Sequence, residues 1–300
     1  MNLPSEDFDF GALDAVTIRG ADGSSATVSY FGAQVVSWKT PDGRERLYMS
    51  PMSRTGGSMP IRGGIPICFP QFANQGPLSK HGFARTIQWR LTGAHNDSAG
   101  VSFVLEDRDL PPTIAATWPY RFCARISVSL QHGALVIDFE VSNIGGQPFT
   151  WTGALHTYLR VRDVARVRIY GLAGCSFRDN ADPNNAWFDV DGGFGICNEV
   201  ERLFRIGKKI YLRDLTTSVG GLPSNGEFAT PPYESSSVSV SLKGFSELMV
   251  WNPGSAGQFA DLPSDAYREF ICIEPAVVDQ PVALGASQTW RGNVQFAISD

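Results

Sequence analysis

An all-β fold, a large antiparallel β-sandwich, is the class this sequence predicts, and three observations predict it. Apolar and polar residues alternate through long stretches. Turn formers are abundant, with 31 glycines and 19 prolines in 300 residues. Long amphipathic helical patterns are scarce. The clearest alternation is Phe122, Ala124, Ile126, Val128 and Leu130, with Cys123, Arg125, Ser127, Ser129 and Gln131 between them. Leu135, Ile137, Phe139 and Val141 continue it against Val136, Asp138, Glu140 and Ser142. A period of two buries one face of a strand and wets the other. His132-Gly133 supplies the turn, so residues 121–143 read as a β-hairpin.

The remaining elements follow the same logic in chain order. Strands are expected at Ala26–Phe31, Gln34–Lys39, Ile87–Leu91, Val101–Glu106, Val167–Tyr170, Ser237–Leu242, Glu247–Trp251 and Thr289–Phe296. The best helical candidate is short, Pro263 to Glu269. No repeat or low-complexity linker divides the chain, so residues 13–300 are expected to form one sandwich domain after a loose tail over 1–12. Segments 52–66 and 180–199, rich in glycine and asparagine, break the strand rhythm. Long irregular loops in a compact β domain often carry function.

Composition narrows the functional classes. Hydrophobic residues make up 43% and charged residues 18%, and the net charge is −5. That balance argues against nucleic acid or an anionic membrane as partner, since both call for a basic face. It still permits a small anionic ligand held by a few local arginines. Cys68, Cys123, Cys175, Cys197 and Cys272 are odd in number and widely spaced, which reads as free buried thiols in a reducing cytosol. Met1 to Phe10 is acidic, with no apolar run that reads as a signal peptide or membrane span, so a cytoplasmic location is expected.

Candidate chemistry centres on His81-Gly82-Phe83-Ala84-Arg85 and on Arg62-Gly63-Gly64-Ile65-Pro66 just upstream. A guanidinium matches phosphate or carboxylate geometry and keeps its charge. A histidine moves protons near neutral pH. His156 lies in an apolar, aromatic run from Trp151 to Leu159, where a histidine is more often a core residue than a catalyst. Glu274 lies in Phe270-Ile271-Cys272-Ile273-Glu274-Pro275-Ala276, where a buried carboxylate needs a partner, a ligand or water. Pro275 is expected to end the ladder there. A rim glutamate paired with an arginine is the competing reading. Asn198 to Phe204, with Glu201, reads as a solvated charge run. His95 and His132 read as surface residues in turns.

Other chemistries lack their signatures. Asp189-Val190-Asp191-Gly192-Gly193 resembles a calcium loop but lacks its spacing and terminal glutamate. No His-x-His pair or His-Glu-x-x-His motif supports a catalytic zinc. No nucleotide-binding glycine loop and no Gly-x-Ser-x-Gly elbow is present.

Taken in order, Arg62-Gly63-Gly64-Ile65-Pro66 with Phe69-Pro70, then His81 to Arg85, His156, Val250-Trp251-Asn252-Pro253 and Cys272-Ile273-Glu274-Pro275 resemble one family. It is the glucose-6-phosphate 1-epimerases, or hexose-6-phosphate mutarotases, within the wider aldose 1-epimerase group. The resemblance runs from about Phe31 to Phe296. It implies a galactose mutarotase-like sandwich and an isomerase of carbohydrate metabolism that works without metal or organic cofactor. His156 and Glu274 are implied as catalytic, with His81 in the active cleft. Arg62 and Arg85 are implied as substrate contacts. Lys80 stands where the family usually has glutamine, and Glu201 where it usually has aspartate; both are carried over as substrate-binding positions. The implied partner is a small sugar phosphate, and a monomer is expected.

That reading makes Glu274 the base and His156 the acid in exchanging the α and β anomers of a hexose 6-phosphate. Three alternatives remain on the sequence. One is a non-catalytic carbohydrate-binding sandwich. Another is a general aldose 1-epimerase acting on unphosphorylated sugars. The third is a glycoside hydrolase using Glu274 and Glu201, which would leave His156 idle.

Overall fold

The structure, a computed structural model, describes residues 13–54, 59–95, 99–206, 209–214 and 237–299. The tail expected over 1–12 and the Gly56-Gly57 pair lie outside the described residues. Among the described residues the strands form a three-stranded, a seven-stranded and a ten-stranded sheet. The expected hairpin is present as Phe122–Gln131 and Ala134–Asn143, in register from Phe122 opposite Asn143 to Gln131 opposite Ala134. His132 and Gly133 make its turn, both at positive φ (50° and 76°). In the ten-stranded sheet this hairpin continues through Gly100–Glu106 to Arg90–His95 on one side and through Thr289–Ser299 to Ser237–Lys243 on the other.

The seven-stranded sheet positions the site. Its order is Phe177–Asp179, Val200–Arg205, Glu247–Asn252, Phe270–Leu284, Phe149–Leu155 and Ile67–Cys68, with Tyr158–Arg160 also paired to Phe270–Leu284. Alternation along the long strand separates two faces. Ile271 and Ile273 join Leu155, Leu248 and Val250 in the main core, against Ile126, Ile137, Phe139 and Phe296 of the ten-stranded sheet. Each such side chain contributes roughly 1.5–3 kcal/mol on burial. Cys272, Glu274 and Ala276 point to the opposite face, where only small apolar clusters form.

Several elements depart from the expectations. Residues Ile87 to Trp89 do not join the Arg90–His95 ladder. Their backbone pairs instead with the Tyr30–Gly32 segment, through Gly32 N to Ile87 O and Trp89 N to Tyr30 O. The ladder to Gly100–Glu106 begins only at Arg90. His95 consequently ends a strand and does not occupy a turn. The Pro263–Glu269 helix reduces to one 3-10 turn, Ala266–Arg268. Among the described residues the α-helix is Pro112–Thr117.

The charge run 198–204 is not a solvated face but the strand Val200–Arg205. Arg202 in it is 4% exposed. It is paired with Asp179 and lies over the rings of Phe177 and Phe194. An arginine buries well when its fork is matched and its plane stacks. The 180–199 segment likewise contains the strands Ala186–Phe188 and Phe194–Ile196. All five cysteines are free, but only Cys68 and Cys272 are buried; Cys123 and Cys175 are half-buried and Cys197 is exposed. No helix among the described residues is long and apolar enough to cross a membrane.

Candidate active site

Register places His156 against Glu274. Tyr158 lies opposite Cys272 and Ala154 opposite Ala276. The same register sets His156 opposite Glu274 and Leu155 opposite Pro275. Pro275 has no N–H to donate, so the ladder on this side is interrupted between the strands Phe149–Leu155 and Tyr158–Arg160. The long strand itself does not end at Pro275; it continues to Leu284, with Pro275 in register with Leu248 on its other side. The proline thus opens a two-residue gap beside Glu274 without terminating the strand. In that gap the His156 backbone N–H donates to the Pro66 carbonyl (3.0 Å).

The pair is close, buried and unsatisfied. His156 Nδ1 lies 3.2 Å from Glu274 Oε1. Exposures are 8% for His156 and 1% for Glu274. Neither His156 Nδ1 nor Glu274 Oε2 makes a hydrogen bond. Buried polar atoms left without partners are rare in native proteins and mark places where a ligand can complete the set. With Nδ1 turned to Glu274, Nε2 is the ring nitrogen left for a substrate.

Burial drives the imidazole well below its usual range, helped by His81, Arg62 and Arg85. Burial also drives the Glu274 carboxyl well above the usual carboxylate range, with the Glu201 charge adding to it. Both shifts favour a pair that carries one proton and no net charge.

Aromatic rings fix the imidazole. Tyr158 stacks on it, with centroids 4.7 Å apart and planes 8° apart. Trp251 meets it edge-on at 5.7 Å. His81 approaches from another side, its ring 5.6 Å from His156. His81 has φ of 67°. That backbone is held because its N–H donates to the Ala73 carbonyl (2.9 Å) and its Nδ1 accepts from the Ala73 N–H (3.3 Å). With Nδ1 accepting, the ring is the Nε2–H tautomer. Burial, followed by Arg85, Lys80 and Arg62, pushes its pKa down to about 2, so it is a neutral donor. Gly82 follows at φ 71°, and a β-carbon there would collide with the Phe69 carbonyl.

The cations around the pair differ in their engagements. Arg62 Nε and Nη2 each donate to Asp261 at 3.0 Å, and its Nη1 donates to the Tyr158 hydroxyl at 3.0 Å. Arg85 Nη2 donates to the Lys80 carbonyl at 2.6 Å, while its Nε is buried without a partner. Lys80 is exposed. Its charge acts on His81 and favours the ionised form of Glu274. Glu201 lies opposite Trp251 on the same face, two strands across and two residues along from Glu274, roughly 12 Å between backbones, and accepts from Asn180 Nδ2 at 2.9 Å.

Of the seven positions singled out in the sequence, His156 and Glu274 form the pair, His81, Arg62, Arg85 and Lys80 gather around it, and Glu201 stands at the edge of the same sheet face. Asp261, Tyr158 and Cys272 were not anticipated. Tyr158 and Cys272 were within reach of sequence reasoning, since each is two residues from a candidate on a period-two element. Asp261 carried no such signal. His156, Cys272 and Glu274 also bring three metal-ligand types together, all buried, with donor atoms within 4.8 Å of one another. Tetrahedral zinc holds its donors closer, at about 3.3–3.8 Å for bonds of about 2.0–2.3 Å, so the set as it stands is wider than a zinc site.

Comparison with known proteins places the chain in a family. The aldose 1-epimerase family matches residues 14–297. A protein of Cenchrus ciliaris named "Putative glucose-6-phosphate 1-epimerase" is 30% identical over 301 residues, covering 95% of this chain and 84% of its own length. An Escherichia coli protein of the same name is 30% identical over 259 residues, covering 85% of this chain and 80% of its own. The crystal structure of a "putative mutarotase (YeaD)" from Salmonella typhimurium superposes with a TM-score of 0.76 at 24% identity, over 97% of this chain and 92% of that one. The chain belongs to the aldose 1-epimerase family.

Proposed function

We propose that this enzyme interconverts the α and β anomers of a hexose 6-phosphate, with Glu274 and His156 as the acid–base pair. The observation that carries the reading is the pair itself: two buried titratable side chains 3.2 Å apart, with His156 Nδ1 and Glu274 Oε2 lacking hydrogen-bond partners. When the shared proton sits on the imidazole, Glu274 is a carboxylate base and His156 Nε2–H an acid. Glu274 removes the anomeric hydroxyl proton as His156 delivers one to the ring oxygen. The C1–O5 bond breaks and the C1=O bond forms. After rotation about C1–C2 the ring oxygen attacks the other carbonyl face. His156 takes its proton back and Glu274 returns its own to O1, so the pair ends as it began. One positioned acid or base typically contributes ~10²–10⁴-fold.

His81 Nε2–H, a neutral donor, supports the ring oxygen or a neighbouring hydroxyl. Arg85, with an unsatisfied Nε, and the exposed Lys80 supply cations for a phosphate, consistent with the names of the two curated relatives. One observation favours a second reading, a general aldose 1-epimerase. Arg62 is already occupied by Asp261 and Tyr158, which leaves fewer free cations for a phosphate. Two-dimensional exchange NMR on glucose 6-phosphate and glucose separates the two. The proposal expects kcat/KM at least ~10-fold higher for the phosphorylated sugar; equal values favour the general epimerase, and exchange at the spontaneous rate with both sugars contradicts either.

A further inference from the structure

Arg62 spends its hydrogen bonds inside the protein. Its Nε and Nη2 grip both carboxylate oxygens of Asp261. That fork is fixed from several directions. The Asp261 carbonyl accepts from Ser50 Oγ at 2.6 Å. The Arg62 backbone N–H donates to Ser53 Oγ at 2.8 Å. The Phe259 ring lies 5.2 Å from the guanidinium carbon. A bidentate arginine–carboxylate pair is directional, so it delivers the third nitrogen, Nη1, to a defined place. What it meets there is the hydroxyl of Tyr158. The Tyr158 ring in turn lies flat against His156, 8° from parallel.

We propose that Asp261 is a positioning residue, which acts through Arg62 and the Tyr158 hydroxyl to hold the stacking plane that orients His156. The proposal rests on the reading of His156 as the acid. Under it, Arg62 works as a brace, while Arg85 and Lys80 are cations open to a phosphate. Asp261 also balances the Arg62 charge. Without that balance the guanidinium would act more strongly on His156, which it already drives toward the neutral form. It would also be released to bind an anion.

This gives Asp261→Asn an unusual signature. With spontaneous exchange subtracted, kcat should fall about 10-fold on glucose 6-phosphate and on glucose alike, while KM for glucose 6-phosphate does not rise. A group that merely orients a phosphate ligand would do the reverse, raising KM for the phosphorylated sugar only. Tyr158→Phe removes one oxygen, keeps the ring, and should reproduce the loss in kcat. It serves if Asp261→Asn folds poorly. A readout independent of turnover is the pair of His156 ring ¹⁵N resonances, which should shift in both variants relative to wild type. Wild-type kcat and unshifted resonances in both variants, with His156→Gln inactive, would overturn the brace and leave the acid–base assignment standing. Near-normal exchange by His156→Gln would overturn the assignment, and the brace with it.

Discussion

Arg85→Ala tests the phosphate-binding part of the account. Arg85 is half-buried, Nη2 is tied to the Lys80 carbonyl, and Nε has no partner. A phosphate would complete that set with one or two charge-assisted hydrogen bonds. Each is worth about 1.5–3 kcal/mol, which at about 1.4 kcal/mol per decade is a ~10–100-fold loss in kcat/KM for the phosphorylated sugar per bond removed. A second effect has the opposite sign. Arg85 disfavours protonation of both His81 and His156. Removing it therefore eases proton uptake at His156, so exchange of glucose should stay level or rise slightly. The assay is exchange NMR on both sugars across a concentration series, with spontaneous exchange subtracted. The reasoning is refuted if the two sugars lose equally, because Arg85 would then hold the His81 loop through the Lys80 carbonyl without reading the phosphate.

Two further outcomes follow from the same geometry. Glu274→Gln should be more thermostable than wild type at pH 8, by at least ~2 °C, and about equal near pH 4.5, read by calorimetry. The folded carboxyl binds its proton more tightly than the unfolded one, so the wild type loses stability as pH rises through that window, and the amide has no proton to lose. His81 and His156 work in the other direction. Their folded pKa values lie below 6.5, so stability falls as pH drops below that value, and this acid loss should persist in Glu274→Gln. Dialysis against a strong chelator should leave the exchange rate unchanged, since the His156, Cys272 and Glu274 donors spread to 4.8 Å; a rate that collapses and returns with zinc would contradict this.

The sandwich was legible wherever one strand face is wet. The hairpin Phe122–Gln131 and Ala134–Asn143 announces itself because its polar residues alternate with buried apolar ones, except at the buried start of the second strand, Ala134 to Ile137. Val200–Arg205 did not, because Arg202 is buried by pairing with Asp179 and stacking on two phenylalanines, a tertiary arrangement that makes a core position look like surface. Ile87 to Trp89 alternates correctly yet pairs with a different segment, since alternation reports faces and not partners. In the site, His156 and Glu274 were recognisable as polar residues in apolar runs. Their opposition across the ladder was not, because it depends on a register set by Tyr158–Cys272 and Ala154–Ala276. Asp261 was hidden for a similar reason. It lies 199 positions from Arg62 along the chain, and nothing local marks the pairing.

The most direct test is anomer exchange of glucose 6-phosphate by His156→Gln and by Glu274→Gln, each checked for wild-type folding by circular dichroism. The register that sets these two side chains 3.2 Å apart, with His156 Nδ1 and Glu274 Oε2 unpartnered, predicts that either substitution removes ~10²-fold or more of the catalysed rate. Exchange near the wild-type rate in either folded variant would contradict their assignment as the acid–base pair.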